Sequence, residues 1–189
     1  MSLPQENYYT LADVLSWDEQ ERFELINGIP VMMAPPRRIH QKIVSELNRQ
    51  LANYLHGKKC EVYPAPCAVR LFEQDGDSPD DVDTMVEPDV SVICDPNKLD
   101  SLGCKGAPDF IIEILSPSTL RHDWVTKFNL YRRAGVREYW IVDPDSKLVQ
   151  TYILENGYYV AKELALNGNK LPVNVLKDCI IDLAGIFDE

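Results

Sequence analysis

The sequence predicts a single α/β domain, residues 1–189, with a central mixed β-sheet flanked by helices and extra β-hairpins at both ends. Three observations carry that expectation. Segments 88–94, 109–115 and 138–143 are apolar on both faces, as strands of a sheet covered on two sides must be. Stretches 39–57 and 120–134 place apolar residues at helical spacing. Asn27-Gly28 and Asn156-Gly157 each separate two strand-like runs. Asn-Gly favours a tight hairpin because both central positions of a type I′ turn need φ > 0.

In chain order, Thr10 with Asp13 three residues on is a weak helix-start signal ahead of Leu11, Val14, Leu15 and Trp17. Arg22 to Met33 reads as the first hairpin, stopped by Pro35-Pro36. Ile39, Ile43, Leu47, Leu51 and Leu55 then mark a long amphipathic helix ending near Gly57. Strand-like pieces follow at 60–64 and 67–72. Residues 73–86, with Asp75, Asp77, Asp80 and Asp81, read as a solvated loop. Asp75, Asp77 and Asp80 do not make an EF-hand, because Pro79, Asp80 and Val86 stand where that loop needs other residues. Strands are expected at 90–93 and 110–115, then a helix over 120–134 ending at Gly135, then a strand over 138–142. The second hairpin and a short turn at 183–187 complete the chain.

Composition sets the outer limits. Hydrophobic residues are 45% and charged residues 26%, an ordinary globular balance that excludes disordered, collagen-like and coiled-coil chains. No apolar run reaches the ~18–20 residues of a membrane helix. Met1 to Glu6 has no basic-then-apolar signal pattern, so a cytoplasmic protein is expected. The five cysteines, at 60, 67, 94, 104 and 179, have no zinc-knuckle spacing. Reduced thiols are expected, with Cys94 and Cys179 buried as small hydrophobes.

Glu113 is the most informative residue. It lies inside Ile111-Ile112-Glu113-Ile114-Leu115, where an uncompensated carboxylate costs several kcal/mol, on the order of 3 or more. Asp89, after Pro88 at the head of another apolar strand, is the second anomaly. Carboxylates on adjacent strands could share a Mg²⁺, a hard cation that keeps several waters. A buried acid satisfied by arginine or backbone N–H groups fits the pattern equally well. Asp109 shares a strand face with Glu113 but stands about 13 Å away, so it is expected to cap the strand entrance. On the helical wheel Trp124, Phe128 and Tyr131 form the buried stripe, Lys127 borders it and Arg133 points to solvent. An i,i+4 ion pair with Asp123 is the structural alternative for Lys127, and wheel position alone favours it.

An Asp on one strand, a Glu on the next and a lysine on the following helix resemble the PD-(D/E)xK, or restriction-endonuclease-like, nuclease superfamily. Further motifs resemble its Uma-type family of bacterial restriction endonucleases. They are Glu24-Leu25-Ile26-Asn27-Gly28, His40, Glu87-Pro88-Asp89-Val90, Pro108 to Ser118, Lys127, Tyr131 and Gly135 to Pro144. The superfamily pattern puts its lysine at position 115, which is Leu115 here; in this branch Lys127 takes that place. The resemblance implies a restriction-endonuclease-like core and hydrolysis of DNA phosphodiesters, with Asp89, Glu113 and Lys127 catalytic. Asp89 and Glu113 would bind Mg²⁺, with Mn²⁺ as a substitute. Glu24 and His40 follow as second-tier site residues. Taken alone, Glu24 reads as a solvated hairpin charge and His40 as a helix-start hydrogen bond. His56 and His122 have no motif support and read as surface residues.

Leu115 keeps open a catalytically silent binding or assembly module on the same fold. A metal-dependent phosphoesterase acting on RNA or nucleotides is a further alternative. A homodimer is expected only because enzymes that cut both strands often pair.

The net charge of −11 is uneven. Residues 73–100 carry −9, while 37–72 carry +5 and 101–137 carry +3. The two helical segments are therefore basic, offering Arg37, Arg38, Lys42, Arg121, Lys127 and Arg132 for phosphates. The acidic 73–87 loop could gate the site.

Overall fold

Local chemistry and long-range pairing can be followed together along the chain. The computed structural model describes residues 7–17, 22–116 and 122–188, with the side chains of 122–124 outside that description. Helix α1 (Leu11–Val14) begins behind Thr10, whose backbone N–H donates to Asp13 Oδ2 at 2.8 Å. Strands β1 (Phe23–Ile26) and β2 (Ile29–Met32) turn through Asn27 and Gly28, both at positive φ, 48° and 77°. Helix α2 (Arg38–Leu55) buries Ile43, Val44, Leu47, Leu51 and Leu55 along one stripe. Strands β3 (Glu61–Pro64), β4 (Val69–Arg70), β5 (Val90–Ile93), β6 (Leu99–Asp100), β7 (Gly103–Lys105) and β8 (Phe110–Ile114) follow. Helix α3 (His122–Ala134) then leads into β9 (Glu138–Asp143), β10 (Leu148–Glu155), β11 (Tyr158–Leu166), β12 (Lys170–Pro172) and β13 (Ile180–Asp182).

Six strands form the central sheet in the order β11-β10-β9-β8-β5-β3. Only β8 and β9 run parallel, and α3 lies in the connection between them. That is the mixed sheet expected from the doubly apolar strands. Side-chain alternation divides its two faces. Phe110, Ile112 and Ile114 of β8 pack with Ile43, Leu47 and Leu51 of α2. Ile111 packs on the other face with Leu130 and Tyr131 of α3. Glu113 shares the α3 face with Ile111.

Several expectations change. The second hairpin is no appendage, because β10 pairs with β9 and extends the central sheet. The first hairpin does stand apart as a two-stranded sheet. The strand expected over 67–72 shortens to β4, which joins β7 and β6 in a small three-stranded sheet. The loop over 73–86 is solvated only in its first part. Val82, Thr84, Met85 and Val86 are buried, and bridges Leu25–Met85 and Val69–Val86 fasten that end to the first hairpin and to β4. The apolar side chains explain the difference, and they confine any gating to the exposed tip.

The cysteine expectation also changes. Cys60 and Cys94 are disulfide-bonded, while Cys67, Cys104 and Cys179 are free. The β3–β5 register pairs Glu61 with Ile93, so the next pair outward is Cys60 with Cys94. No sequence spacing announces that pairing. Cys179 is buried as expected, with its thiol pKa pushed up by burial to about 11. The helix start at 120–121, Arg121 and the side chains of His122, Asp123 and Trp124 lie outside the described residues.

Candidate active site

The sheet register first brings the two anomalous carboxylates together. Val90 pairs with Ile112, so continuing the antiparallel register sets Asp89 opposite Glu113. Residues opposite one another project from the same face. Asp89 Oδ2 accepts a hydrogen bond from the Ile114 backbone N–H at 2.7 Å and contacts His40 Nε2 at 3.1 Å. His40 thus reaches across from the first turn of α2 to a carboxylate rather than serving as a helix-start hydrogen bond. Its Nδ1 is buried without a hydrogen-bond partner among the described residues.

Helix α3 supplies the next layer. Lys127 Nζ donates to Glu113 Oε1 at 3.1 Å and to Glu24 Oε1 at 2.8 Å. Tyr131, one turn along, donates its hydroxyl to Glu113 Oε1 at 2.5 Å. Glu24 is only 4% exposed and also accepts from the Glu87 N–H at 2.9 Å, so it is not a solvated hairpin charge. The five expected site residues, Asp89, Glu113, Lys127, Glu24 and His40, therefore line one cleft of about 140 Å³. Asp109 stays apart. It accepts from the Cys94 N–H at 2.8 Å and from Arg137 Nη1 at 3.0 Å, capping the strand entrance as expected.

Residues 6–184 match the model of the Uma2 family, described as "Putative restriction endonuclease". The chain belongs to the Uma2 family. It is 28% identical over 143 residues to the uncharacterised protein slr1290 of Synechocystis sp., covering 74% of this chain and 71% of that one. It also resembles a crystal structure from Anabaena variabilis, described as "a putative nuclease belonging to DUF820". That likeness has a TM-score of 0.71 and covers 94% of this chain and 97% of the other. At 20% identity it shows a shared fold.

Within this Uma2 site the charges are arranged unequally. Burial pushes the Glu113 carboxyl up to about 7, and Asp89 and Glu24 add to the rise against the pull of Lys127 and the Tyr131 hydroxyl. For Lys127, burial opposes the charge, but Glu113 and Glu24 overcome it and raise the ammonium above its ordinary value. It therefore remains a cation. His40 follows the same logic: burial lowers its pKa, while Asp89 and Glu113 raise it more. Burial and Glu113 hold Tyr131 well above its ordinary value, so it stays a neutral donor.

The donor set decides whether a divalent cation fits. Among the described residues no three Asp, Glu, His or Cys side chains form a ready metal cage. The named contacts engage Asp89 Oδ2 and Glu113 Oε1, and each carboxylate carries a second hard oxygen. Two carboxylates with room for water fit Mg²⁺, which is commonly held by one or two carboxylates.

Some contributors went unassigned in the sequence. Tyr131 lay on the buried stripe, but its hydroxyl gave no sign of reaching Glu113. Arg22 and Glu87 line the cleft as an ion pair at 2.5 Å, joined across 65 positions. Of the basic residues offered for phosphates, Lys42 instead donates to the Asp188 carbonyl, and Arg132 donates to the Gly157 carbonyl at 3.0 Å. Arg37 and Arg38 lie between the cleft-lining residues Pro36 and His40 at the start of α2.

Proposed function

We propose that this site hydrolyses phosphodiester bonds in DNA, using Mg²⁺ held by Asp89 and Glu113, with Mn²⁺ as a substitute. The observation that carries the reading is Lys127, on a helix, meeting Glu113 and Glu24 while Asp89 stands opposite Glu113. Bound there, the cation would lower the pKa of a coordinated water and offset charge on the phosphate. Lys127 orients the attacking water and donates to the phosphate oxygen on which charge develops. Glu24 fixes the ammonium from behind, Tyr131 fixes the Glu113 carboxylate, and His40 with the Ile114 N–H fixes Asp89. Attack at phosphorus breaks one P–O ester bond and leaves a phosphomonoester and a hydroxyl.

The test is incubation of the purified chain with supercoiled plasmid in Mg²⁺ or Mn²⁺. Nicked or linear product is expected, with a loss of about 100-fold or more in Glu113→Gln. Robust cleavage by clean Glu113→Gln protein would remove the site from the reaction. Parallel incubation with RNA and with dinucleotides separates a broader phosphoesterase. Absence of both cleavage and calorimetric Mg²⁺ uptake would favour a silent binding module. Sedimentation of the active protein tests the homodimer. No helix among the described residues is long and apolar enough to cross a membrane.

A further inference from the structure

The first hairpin and the segment ahead of β5 place a second charged pair at the mouth of the cleft. Arg22 stands two residues before Glu24, and the Met33 N–H donates to the Arg22 carbonyl at 3.0 Å, carrying the β1–β2 ladder on through Arg22. Residues two apart on an extended chain share a face. Glu24 turns its carboxylate to Lys127, so Arg22 is directed to the same cleft, which both line. Arg22 Nη2 donates to Glu87 Oε2 at 2.5 Å. Glu87 is tied in turn to the site, its backbone N–H donating to Glu24 Oε1 at 2.9 Å.

The charges lining the cleft are unbalanced. Glu24, Glu87, Asp89 and Glu113 face only two permanent cations, Arg22 and Lys127. A phosphodiester brings more negative charge, so besides a bound metal it needs a side chain that can still donate. Lys127 and His40 have side chains only 14% and 12% exposed, and each is engaged by the carboxylates beside it. Arg22 differs. Its side chain is 46% exposed while that of Glu87 is 17% exposed, so the acid sits behind and the guanidinium in front. A guanidinium carries five N–H donors in a planar fork suited to phosphate. Among the described residues Glu87 engages it at Nη2 alone. An ion pair this exposed contributes at most about 1 kcal/mol to stability, which gives little structural reason for it here. Two residues along a strand span about 6.6 Å, close to the spacing of successive phosphates on a nucleic-acid strand.

We propose that Arg22 is a substrate-binding residue that grips the phosphate next to the one that is cut, and that Glu87 is the positioning residue that aims it. This rests on the phosphodiesterase reading above and extends it to a second phosphate of the same strand.

The test titrates the full chain into a fluorescein-labelled DNA duplex, read by anisotropy at salt from about 50 to about 200 mM. Ca²⁺, another cation that takes oxygen ligands, replaces Mg²⁺. Arg22→Gln should weaken binding about tenfold and lower the salt slope by about 1. Arg22→Lys keeps the charge without the fork, so it should keep the slope and recover only part of the affinity. Glu87→Gln retains an oxygen to aim the guanidinium but removes an acid from the cleft, and should bind about twofold or more tighter. With Mg²⁺ or Mn²⁺, Arg22→Gln should raise KM about tenfold and lower kcat less than about threefold. A merely structural ion pair would make Arg22→Gln and Glu87→Gln alike and leave the salt slope unmoved. That outcome, or no binding by wild type at the lowest salt, overturns the proposal. If Arg22→Gln does not fold, Glu87→Gln decides: tighter binding supports the proposal and weaker binding overturns it. Plasmid nicking that persists after a negative result leaves the nuclease reading standing. A reduced slope in Arg22→Gln, with no cleavage by wild type in either metal, keeps Arg22 as a phosphate contact and ends the nuclease reading.

Discussion

Replacing Lys127 by Met keeps the length of the side chain and removes its charge. Two buried carboxylates, Glu24 and Glu113, then lose the ammonium that bridges them at 2.8 and 3.1 Å. Removing one partner of a buried ion pair costs about 3–5 kcal/mol, because the other charge is left unpaired. Part of this is recovered by protonation, since Glu113 already sits at about 7 and Lys127 is what pulls it down. The expected loss is therefore about 3 kcal/mol at about pH 7.5, a fall of roughly 6–12 °C in Tm for a domain of this size. The sign with pH follows from Glu113. Without Lys127 its pKa rises further, so the penalty is present above that pKa and fades as pH falls. At about pH 5.5 the variant should lie much closer to wild type. Adding Glu24→Gln removes one stranded charge and should restore about 1 kcal/mol or more without restoring activity. The measurement is thermal unfolding followed by circular dichroism in EDTA at both pH values. An unchanged Tm at the higher pH, or a loss equal at both, would refute the buried bridge.

Three further outcomes follow from the same structure. Tyr131→Phe removes the 2.5 Å hydrogen bond to Glu113 and should cost about 1.5–3 kcal/mol by urea unfolding, because the acceptor is a buried carboxylate. In EDTA, wild-type stability should fall by up to about 3 kcal/mol as pH rises from near 4.5 through 7, because the folded state favours protonated Glu113. Glu113→Gln should flatten that slope, and added Mg²⁺ should oppose it by favouring the ionised carboxylate. Replacing both Cys60 and Cys94 by Ala opens a loop closed across 34 positions and should cost about 4 kcal/mol, read as a fall in Tm that reducing agent reproduces in wild type.

Much of the chemistry was legible locally. Glu113 announced itself as a charge inside a five-residue apolar strand, and Asp89 as an acid at the head of another. Lys127 was placed on the border of the buried face by wheel position. What local pattern could not supply was the partner of each group. An ion pair with Asp123, four positions away, was the simpler sequence reading of Lys127. The structure gives Lys127 the partners Glu24, 103 positions distant, and Glu113, while the Asp123 side chain lies outside the described residues. Glu24 was undervalued for the same reason, since nothing in Phe23–Ile26 shows that this strand turns its acid inward beneath α3.

By itself the sequence determined the main helices, the mixed central sheet and two carboxylates, Asp89 and Glu113, out of place in apolar strands, because periods of 2 and 3.6 and turn-forming dipeptides act over a few residues. Tertiary structure alone decided which faces meet. Register set Asp89 opposite Glu113 and Cys60 opposite Cys94, and it carried β10 into the central sheet rather than into a separate hairpin. Register answers to burial across the whole sheet, since a slip of one residue would send every side chain of a strand to the other face. The placing of Val31 and Met33 beside the cleft belongs to the same class of outcome, since they read as the end of a hairpin and tertiary packing brings that hairpin's Glu24 to Lys127.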